Sequence, residues 1–521
     1  MANAPNSYAQ SAAPAPLTGL PLAIASIALA MGTFMQVLDS TIANVSLPTI
    51  AGSLGVASDQ GTWVITSFAV ANGISVPLTG WLMGRFGIVK TFVSAVALFT
   101  LASFLCGLAW NLESLVAFRI FQGAVSGPLI PGSQALLLMI FPPNKRSSAL
   151  AVWSMTTLVA PICGPILGGF ISDNISWRWI FLINVPIGIG CSYLCWQFMK
   201  SRETATFARK IDVVGFSLLV FWVGALQIML DTGKDADWFN SPIIVIETLS
   251  AIIGFVAWVI WTVYEKNPIV DLSLFKSRNF TFGVIALCVA YAVFFGNNLL
   301  LPIWLQTDMG YIATWAGLAA APSGLVAVIL TPFAAKLLSK YDARILATFS
   351  MVAFSLSFYL RSLYSPDADF IAITIPMFVM GAAMSTFFIA MTTIAFNGIK
   401  PHQMPMASGL SNFARIVMGS FAASLTTTIW ANGQANSQTR LSEIMGAFGT
   451  PFAHTIDKLR AVGLSQAQAA MVVGNQVAGQ ALMESTLQFF KVSAFVILLL
   501  IPLIWVTKKS MSDGAAPPPA D

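Results

Sequence analysis

The sequence predicts an all-α membrane protein, and three observations support this. Of the 521 residues, 57% are hydrophobic and only 9% are charged, and the mean hydropathy is +0.79. Apolar runs of about 18 to 25 residues, the length that a helix needs to cross a bilayer, recur along nearly the whole chain. The sequence does not show the alternation of apolar and polar residues that barrel strands require. Because only helices and closed barrels satisfy their backbone inside a bilayer, the spans are predicted to be helices.

The apolar runs number fourteen, and each is predicted to cross the membrane. They cover residues 20–42, 57–79, 88–108, 113–134, 148–171, 178–199, 211–230, 243–264, 280–303, 314–338, 344–363, 370–395, 406–430 and 489–507. Lys and Arg collect on the cytoplasmic side of membrane proteins. With an inside N-terminus, most of the 26 basic residues fall in inner segments. Both termini are therefore predicted to be cytoplasmic.

The spans divide into two halves with an insertion between them. Gly61-Thr62-Trp63 is echoed by Ala313-Thr314-Trp315 at an offset of 252 residues, as expected for parallel repeats with a substrate site between them. The two central spans have no counterpart in this repeat, so we expect them at the periphery with no chemistry assigned. The predicted division is a cytoplasmic tail (1–19), an N-terminal six-helix bundle (20–200), two inserted helices with linkers (201–279), a C-terminal six-helix bundle (280–507) that includes a loop on the outer side (431–488), and a disordered cytoplasmic tail (508–521).

The polar residues argue against several other functions. The only histidines, His402 and His454, fall in predicted loops, and no cluster of nucleophile, base or metal ligands stands out. We therefore predict no enzyme, no cofactor and no metal site. The net charge of +5 is explained by inner loops beside anionic membrane lipid, which leaves no role for a nucleic-acid partner.

An acid in the first span is the leading functional candidate. Asp39 lies late in an apolar run, where a charge is costly, and we expect it in the outer half of the membrane. In the fourth span Arg119 and Gln122 share a helix face, and a buried guanidinium needs an anion or carbonyls. Asp39 and Arg119 are therefore predicted to couple proton movement to conformational change, because protonation removes the burial cost of a carboxylate. The alternative, that Arg119 reaches the membrane surface, stays open.

Two glycine-containing motifs are candidates for conformational roles. The loop after span two contains Gly80, Arg85, Gly87 and Lys90, where glycine permits a tight turn. A simple topology-setting basic turn is the alternative. In span five, small residues would let a neighbouring backbone approach and prolines would bend the helix, although ordinary close packing would also produce this pattern. The span-five residues are Pro161, Gly164, Pro165, Gly168 and Gly169.

These motifs resemble those of a known family. The stretch 80–90 resembles the loop signature of the major facilitator superfamily, with Gly84 in place of its usual Asp. The stretch 115–127 resembles the proton-linked motif of that superfamily, and 160–169 resembles the motif of its drug-exporting antiporters. Together with 38–45, 177–188 and 267–275, the match indicates the EmrB/QacA group of fourteen-span drug:proton antiporters.

The resemblance implies a fold of two six-helix halves plus two additional central helices. It also implies proton-driven efflux of hydrophobic toxic compounds by alternating access across the bacterial inner membrane. Such a pump would work with an EmrA-like periplasmic adaptor and a TolC-like outer-membrane channel. A proton-coupled importer of a specific small solute remains the alternative, and the motif at 160–169 argues against it.

A cavity that accepts many substrates needs adaptable apolar walls with a few polar groups. The predicted cavity residues are Thr33, Gln36, Asn44, Gln122, Trp153, Met155, Phe294, Asn297 and Asn298. For the apolar members, ordinary packing is the alternative. Arg415 is either a second-half counterpart of Arg119 or an anchor at the inner end of its span. The segment 431–488 is expected to cap the outward opening, to touch an adaptor, or to be a solvated loop.

Overall fold

The computed structural model describes residues 17–142, 146–204, 206, 210–233, 236–266, 268–338, 340–399, 404–445 and 450–509. The regular secondary structure in these ranges is helical. The α-helices are α1 (Gly19–Leu54), α2 (Ser58–Gly61), α3 (Trp63–Ser75), α4 (Thr79–Phe86), α5 (Ile88–Gly107), α6 (Leu112–Ser126), α7 (Leu129–Ile140), α8 (Arg146–Asn174), α9 (Trp179–Leu182), α10 (Asn184–Met199), α11 (Val213–Thr232), α12 (Pro242–Tyr264), α13 (Arg278–Thr307), α14 (Ala313–Leu338), α15 (Ala343–Arg361), α16 (Phe370–Phe396), α17 (Met404–Met445), α18 (Thr450–Ala461), α19 (Gln466–Leu498) and α20 (Ile501–Val506).

Twelve helical segments of the described chain are long and apolar enough to cross a membrane. They match twelve of the fourteen predicted spans, some of them as two consecutive helices. The remaining two predicted spans correspond to α8 and the first part of α17, which are not among the twelve. Helix α17 buries polar residues such as Ser411, Ser420 and Ser424, which lower its hydropathy. The chain is a multi-pass membrane protein, and the count of fourteen stays a prediction.

Each half of the chain forms its own packed bundle. In the N-terminal half α1 contacts α7, α8 and α10, while α6 contacts α3 and α5. In the C-terminal half α16 contacts α13, α14 and α15, and α19 contacts α15 and α17. The C-terminal core is rich in aromatic rings: Trp304 is fully buried and stacks on Tyr364 with ring centres 5.6 Å apart. Such stacking adds to the stabilisation from apolar burial.

The described chain ends lie at one end of the molecule. The backbone amide of Leu17 donates to the carbonyl of Ile140 at 2.9 Å, and the amide of Lys508 donates to Asn279 Oδ1 at 2.7 Å. We call the opposite end of the bundle the distal end. The halves meet where α8 contacts α14, α3 contacts α17 and α1 contacts α13. One polar contact between them at the distal end joins Gln306 Nε2 to the carbonyl of Val45 at 2.9 Å.

The two inserted helices differ in their surroundings. Helix α12 exposes many large apolar residues, including Ile246 and Ile253. Helix α11 instead packs against α12 on one side and against α3 and α17 on the other, and it buries Val223 and Gln227. It therefore contacts both halves of the molecule.

One sequence-based expectation about position differs from the structure. Helix α1 continues to Leu54, so Asp39 lies near the middle of a 36-residue helix rather than late in a span. Polar residues such as Ser46 favour an earlier end, but Ser46 is buried and its hydroxyl donates to the carbonyl of Gly168 at 3.2 Å. Arg361, near the end of the predicted span 344–363, is the fully buried last residue of α15.

The segment 431–488 is helical wherever it is described, apart from short turns, rather than a loop. Helix α17 continues to Met445, α18 contains His454, and α19 begins at Gln466. The last turns of α17 and the middle of α19 are joined by an ion pair between Arg440 and Glu484. A small apolar cluster of Ile456, Ala469 and Val473 packs α18 on α19. Ala and Gln, which favour helices, are frequent in this segment. They therefore allow α17 and α19 to continue as helices beyond their apolar parts.

Candidate functional site

The two predicted coupling residues form a buried ion pair. Arg119 Nη1 on α6 donates to Asp39 Oδ2 on α1. Asp39 is 0% exposed and Arg119 is 1% exposed. The alternative in which Arg119 reaches the membrane surface is therefore not the arrangement in this structure. A fully desolvated pair of this kind depends on its remaining hydrogen bonds for stability.

The other oxygen of the carboxylate is bound by two amides. Gln122 Nε2 and Asn184 Nδ2 each donate to Asp39 Oδ1 at 3.1 Å. Both amides also donate to Ser103 Oγ, at 3.2 Å from Gln122 and 3.0 Å from Asn184. The carboxylate thus receives hydrogen bonds from α6 and α10, while Ser103 on α5 holds the two amides in place. Both oxygens of the Asp39 carboxylate therefore accept hydrogen bonds from buried side chains.

The guanidinium has further partners besides Asp39. Arg119 Nε donates to the backbone carbonyl of Val64 at 2.9 Å, and Nη1 also donates to Gln122 Oε1 at 2.7 Å. The guanidinium carbon lies 4.1 Å from the centre of the Phe68 ring, a favourable cation–π arrangement. Arg119 consequently joins α1 and α6 to the first turn of α3.

The local sequence of α6 sets which way Arg119 points. Asn111 accepts a hydrogen bond from the backbone amide of Ser114, and the Ser114 side chain accepts from the amide of Asn111. This capping box fixes the start and rotation of α6. Arg119 and Gln122 are three residues apart, so they lie on the same face and both reach Asp39.

The polar residues predicted to line a cavity are placed in different surroundings. Thr33 is buried with its hydroxyl 2.6 Å from that of Ser133 on α7. The side-chain carbonyl oxygens of Gln36, Asn44 and Asn297 are buried without a hydrogen-bond partner among the described residues. Buried acceptors of this kind are uncommon in folded proteins and call for a water or a ligand. Asn298 is partly buried.

The remaining predicted cavity residues divide into two groups. Gln122 belongs to the ion-pair network, as described above. Phe294 packs in the C-terminal core, with its ring 5.6 Å from that of Phe354. The side chains of Trp153 and Met155, like that of Pro161, lie outside what the structure describes. The cavity itself stays a prediction.

The motif predicted as a loop after span two is largely helical, because Gly80 and Arg85 lie on α4 and Lys90 lies in the first turn of α5. Gly80 and the side chains of Arg85 and Lys90 are exposed, and Gly87 adopts φ +91, which only glycine tolerates readily. Glu203 accepts hydrogen bonds of 2.9 Å from the backbone amides of Val89 and Lys90. A carboxylate at the start of α5 satisfies free amides and the helix dipole.

The glycines of α8 lie where backbones approach closely. A Cβ on Gly164 would lie 2.1 Å from Thr41 Oγ1, and one on Gly168 would lie 2.5 Å from the carbonyl oxygen of Ile42. Across the interface between the halves, a Cβ on Gly169 would lie 2.3 Å from the carbonyl oxygen of Ala313. The carbonyl of Pro165 occupies the space beside Gly317 on α14. Helix α8 therefore packs on α1 and α14 through its small residues.

Two other ionisable residues have surroundings that the sequence left open. Arg415 on α17 lies over the rings of Tyr291 and Phe388, at 4.8 and 5.7 Å from their centres. It is partly buried beside α13 and α16. Asp231, which the sequence places at a span end, accepts hydrogen bonds from Thr66 and Ser424. Sequence reasoning also missed Asn184, although its amide stands out in an apolar run.

Comparison with known proteins agrees with this architecture. A model of the Major Facilitator Superfamily matches residues 29–423. Multidrug export protein EmrB of Escherichia coli (strain K12) is 49% identical over 500 residues, which cover 96% of this chain and 98% of the relative. Fatty acid resistance protein FarB of Neisseria gonorrhoeae is 45% identical over 499 residues, covering 96% and 98% of the two chains.

Solved structures show the same fold at low identity. The crystal structure of the peptide transporter POT in complex with sulfate has a TM-score of 0.62 and 12% identity, covering 95% of this chain and 98% of that chain. A bacterial homolog to the human lysosomal transporter Spinster, inward-facing and unoccupied, has a TM-score of 0.61 and 13% identity, covering 94% and 98%. The chain belongs to the Major Facilitator Superfamily. Within that superfamily it is EmrB-like, which confirms the predicted family and its all-α membrane fold.

Proposed function

We propose that the chain is a multidrug efflux transporter that exports hydrophobic, drug-like compounds in exchange for protons. Full-length relatives with 45 to 49% identity are named multidrug export or fatty acid resistance proteins, which supports export rather than import. The single observation that supports proton coupling is the buried Asp39–Arg119 pair. An ionisable pair inside a membrane bundle is costly unless it has a role in function.

The coupling step in this proposal is the protonation of Asp39. A proton on Oδ1 or Oδ2 removes the negative charge, and Arg119 then keeps Val64, Gln122 and the rings of Phe68 and Phe181 as neutral partners. The link between α1 and α6 weakens because its ionic component is gone. Helix α1 contacts α8 in its own half and α13 in the other. A change in its position would therefore alter how the halves meet.

The driving force is sufficient for useful export. Each proton that moves inward through a membrane potential of 100 mV supplies about 2.3 kcal/mol. At about 1.4 kcal/mol per tenfold concentration ratio, one proton would sustain a gradient of a neutral substrate of roughly 50-fold. A pH gradient would add to this value.

In this proposal the substrate binds between the halves, against flexible apolar walls. The unpartnered oxygens of Gln36, Asn44 and Asn297 supply acceptors from both halves of the chain. Tyr291, Phe388 and the Arg415 guanidinium beside them supply an aromatic and cationic surface. Broad substrate choice favours such surfaces, because they can rearrange around different shapes.

We further propose that the protein lies in the bacterial inner membrane with both termini in the cytoplasm. The distal end then faces the periplasm, and α18 with the adjoining parts of α17 and α19 extends there. This helical extension is the surface we assign to an EmrA-like adaptor, which would connect the transporter to a TolC-like outer-membrane channel. The division of the chain into residues 20–200, 201–279 and 280–507 is part of the same proposal.

The proposal is tested by proton release from the purified full chain in weakly buffered detergent solution. Addition of ethidium, a hydrophobic dye, is expected to displace the proton of Asp39 and acidify the solution. The Asp39→Asn variant should bind the dye without releasing a proton. In proteoliposomes with an imposed proton gradient, the same variant should lose gradient-driven dye transport.

A matched control is available on the protein surface. Asp367 is an exposed acid between α15 and α16, so Asp367→Asn removes the same charge without touching the ion pair. It should release protons and transport dye like the parent protein. If Asp39→Asn releases as many protons as the parent on dye binding, the coupling site lies elsewhere and this assignment is wrong.

A further inference from the structure

Helix α11, one of the two inserted helices, carries an acid that bridges the two halves. Thr66 on α3 donates its hydroxyl to Asp231 Oδ2 at 2.9 Å. Ser424 on α17 donates its hydroxyl to Asp231 Oδ1. Helix α3 belongs to the N-terminal half and α17 to the C-terminal half, so one carboxylate receives a hydrogen bond from each.

A second set of side-chain hydrogen bonds lies one turn before Asp231 on α11. Gln227 Nε2 donates to Ser424 Oγ at 2.7 Å, and Ser420 Oγ lies 3.0 Å from Gln227 Oε1. Gln227 and Asp231 are four residues apart on α11, and Ser420 and Ser424 are four apart on α17. Side chains at this spacing share a helix face. The two helices are therefore joined by a ladder of side-chain hydrogen bonds.

The same turn of α3 contacts both carboxylate sites. The carbonyl of Val64 accepts from Arg119 Nε at 2.9 Å. Two residues later, the Thr66 hydroxyl donates to Asp231, and the Thr66 carbonyl accepts from Ser420 Oγ at 3.1 Å. A shift in the first turn of α3 would therefore alter the Asp39–Arg119 pair and the Asp231 contacts together.

The charged groups around Asp231 are few. Residues 63–75 of α3 contain no ionisable side chain. On α17, the ionisable residue nearest to Ser424 in the sequence is Arg415, nine residues before it. On α12, Glu247 Oε2 lies 3.5 Å from the hydroxyl of Thr232. After α11, Asp237 accepts from Asn240, while Lys234 and Asp235 lie outside the described residues. The hydrogen bonds that Asp231 accepts from Thr66 and Ser424 therefore come from neutral hydroxyl groups.

We propose that Asp231 is a second proton-responsive carboxylate, which in its ionised form holds α11 against α3 and α17 and keeps the distal end closed. This proposal rests on the proposed proton-driven function and extends it to an inserted helix. It makes Asp231 a positioning residue for the conformational change, since it acts through helix contacts rather than on the substrate.

The donor pattern explains why protonation would release the contact. The ionised carboxylate accepts one hydroxyl hydrogen on each oxygen, so both neighbours are satisfied. A protonated carboxyl carries its own hydrogen and loses acceptor capacity on that oxygen. The Thr66 hydroxyl can turn to the backbone carbonyl one turn earlier in its own helix, as Thr side chains commonly do. The bridge between the halves would then lose its hydrogen bonds to a charged acceptor and weaken, while the new carboxyl hydrogen can be accepted by a neighbouring hydroxyl.

The test is a distance measurement that requires neither drug nor gradient. Spin labels are placed at Gln60, just before α3, and at Asn432 on α17, both at the distal end, in a full-length background without the native cysteines. The distance distribution is recorded across about pH 5 to 9, the range in which shifted carboxyl groups titrate. We expect a population with a longer distance to grow as the pH falls.

The variants separate this site from Asp39. Asp231→Asn should show the long-distance population at every pH, and Asp231→Glu should restore the pH dependence. Ser424→Ala, which removes one donor, should raise the ratio of long to short distances by about 10-fold or more at high pH. Asp237→Asn, a nearby surface acid, should behave like the parent protein.

Asp39→Asn should lose coupled transport but keep the pH-dependent distance, so a failure of the proposed function can be told apart from a failure of this inference. If the parent distribution does not change with pH, or if Asp231→Asn changes with pH as the parent does, the inference is wrong.

Discussion

Asp173, in the last turn of α8, accepts two hydrogen bonds of 2.6 Å from Thr314, one from its backbone amide and one from its hydroxyl. Thr314 is the second residue of α14, so a carboxylate from the N-terminal half lies at a helix start in the C-terminal half. Free amides and the helix dipole favour an anion at this position. The contact ties the halves together at the distal end.

Replacing this carboxylate should open the distal end more often. Asp173→Ala removes both hydrogen bonds, and loss of a helix cap of this type costs about 1 kcal/mol. That energy corresponds to an increase of about 5-fold in the open population. The measurement is the rate at which a membrane-impermeant thiol reagent labels Cys introduced at the buried residue Ala313.

Asp367→Asn serves as the control for Asp173, because it removes an exposed acid away from the interface. It should leave the labelling rate unchanged. Equal labelling in Asp173→Ala and the parent protein would contradict a role for the Asp173–Thr314 contact in holding the halves together.

The glycines of α8 should be intolerant of even a methyl group. At Gly168, a Cβ would lie 2.5 Å from the carbonyl oxygen of Ile42, so Gly168→Ala requires α1 and α8 to move apart. We expect a loss of about 1 to 3 kcal/mol, typical of overpacking. Gly317→Ala should act similarly at the interface with the C-terminal half, where its Cβ would lie 2.1 Å from the carbonyl oxygen of Pro165.

Two other helical glycines provide matched controls for this series. At Gly190 on α10 and Gly224 on α11, an added Cβ would have no neighbouring atom within 4 Å, so alanine fits there. Each alanine should stabilise its helix by about 0.5 to 1 kcal/mol. Thermal unfolding of the purified variants measures both effects, and a destabilised Gly190→Ala with an unaffected Gly168→Ala would contradict the packing argument.

The hydropathy of the spans predicts most of the fold. The free-energy cost of a charge inside an apolar span predicts the Asp39–Arg119 pair at the centre of the site. A carboxylate and a guanidinium in separate apolar spans are each costly alone, so their pairing follows from elementary electrostatics. Helix ends are less predictable. The polar residues after Asp39 favour an end to the first span, but Ser46 is satisfied inside the bundle and α1 continues.

The missed site residues have a common physical reason. Ser103 and Asn184 are uncharged, and their position beside Asp39 depends on how α5 and α10 rotate against α1, which hydropathy does not determine. Asp231 lies near the end of an apolar run, where a carboxylate commonly reaches solvent. Only the packing of α11 between the halves shows that Thr66 and Ser424 bind it.

Asn184 should contribute to the stability of the buried ion pair. Asn184→Ala removes a donor to Asp39 Oδ1, so the carboxylate keeps fewer hydrogen bonds inside the bundle. Hydrogen bonds to charged groups contribute about 1.5 to 3 kcal/mol, so the free energy of unfolding should fall by an amount in this range. Thermal unfolding of the purified variant measures this loss.

Ser103→Ala is the appropriate comparison for Asn184→Ala. Ser103 accepts from both amides without donating to the carboxylate, so its removal should produce a smaller loss of stability. An Asn184→Ala variant that unfolds at the same temperature as the parent protein would mean that Asn184 does not stabilise the Asp39–Arg119 pair.

Asp308, immediately after α13, should make stability depend on pH. Burial raises the pKa of its carboxyl, although the hydrogen bond of 2.9 Å from Trp304 Nε1 partly opposes this. Because the folded state holds this proton to higher pH than the unfolded chain does, the free energy of unfolding falls as the pH rises through the shifted range. Asp308→Asn keeps an acceptor for Trp304 and removes the charge. Its melting temperature should therefore exceed that of the parent protein at pH 7 by a small amount, on the order of 1 °C, and match it at low pH.

The opposite sign would identify a different role for this carboxylate. A melting temperature of Asp308→Asn that is lower than the parent value at pH 7 would mean that ionised Asp308 stabilises the fold, for example by strengthening its hydrogen bond to Trp304. Since Trp304 stacks on Tyr364 with ring centres 5.6 Å apart, such a loss would also quench or shift the tryptophan fluorescence of the folded protein. Asp367→Asn, which removes an exposed charge, should change neither the melting temperature nor the emission at either pH.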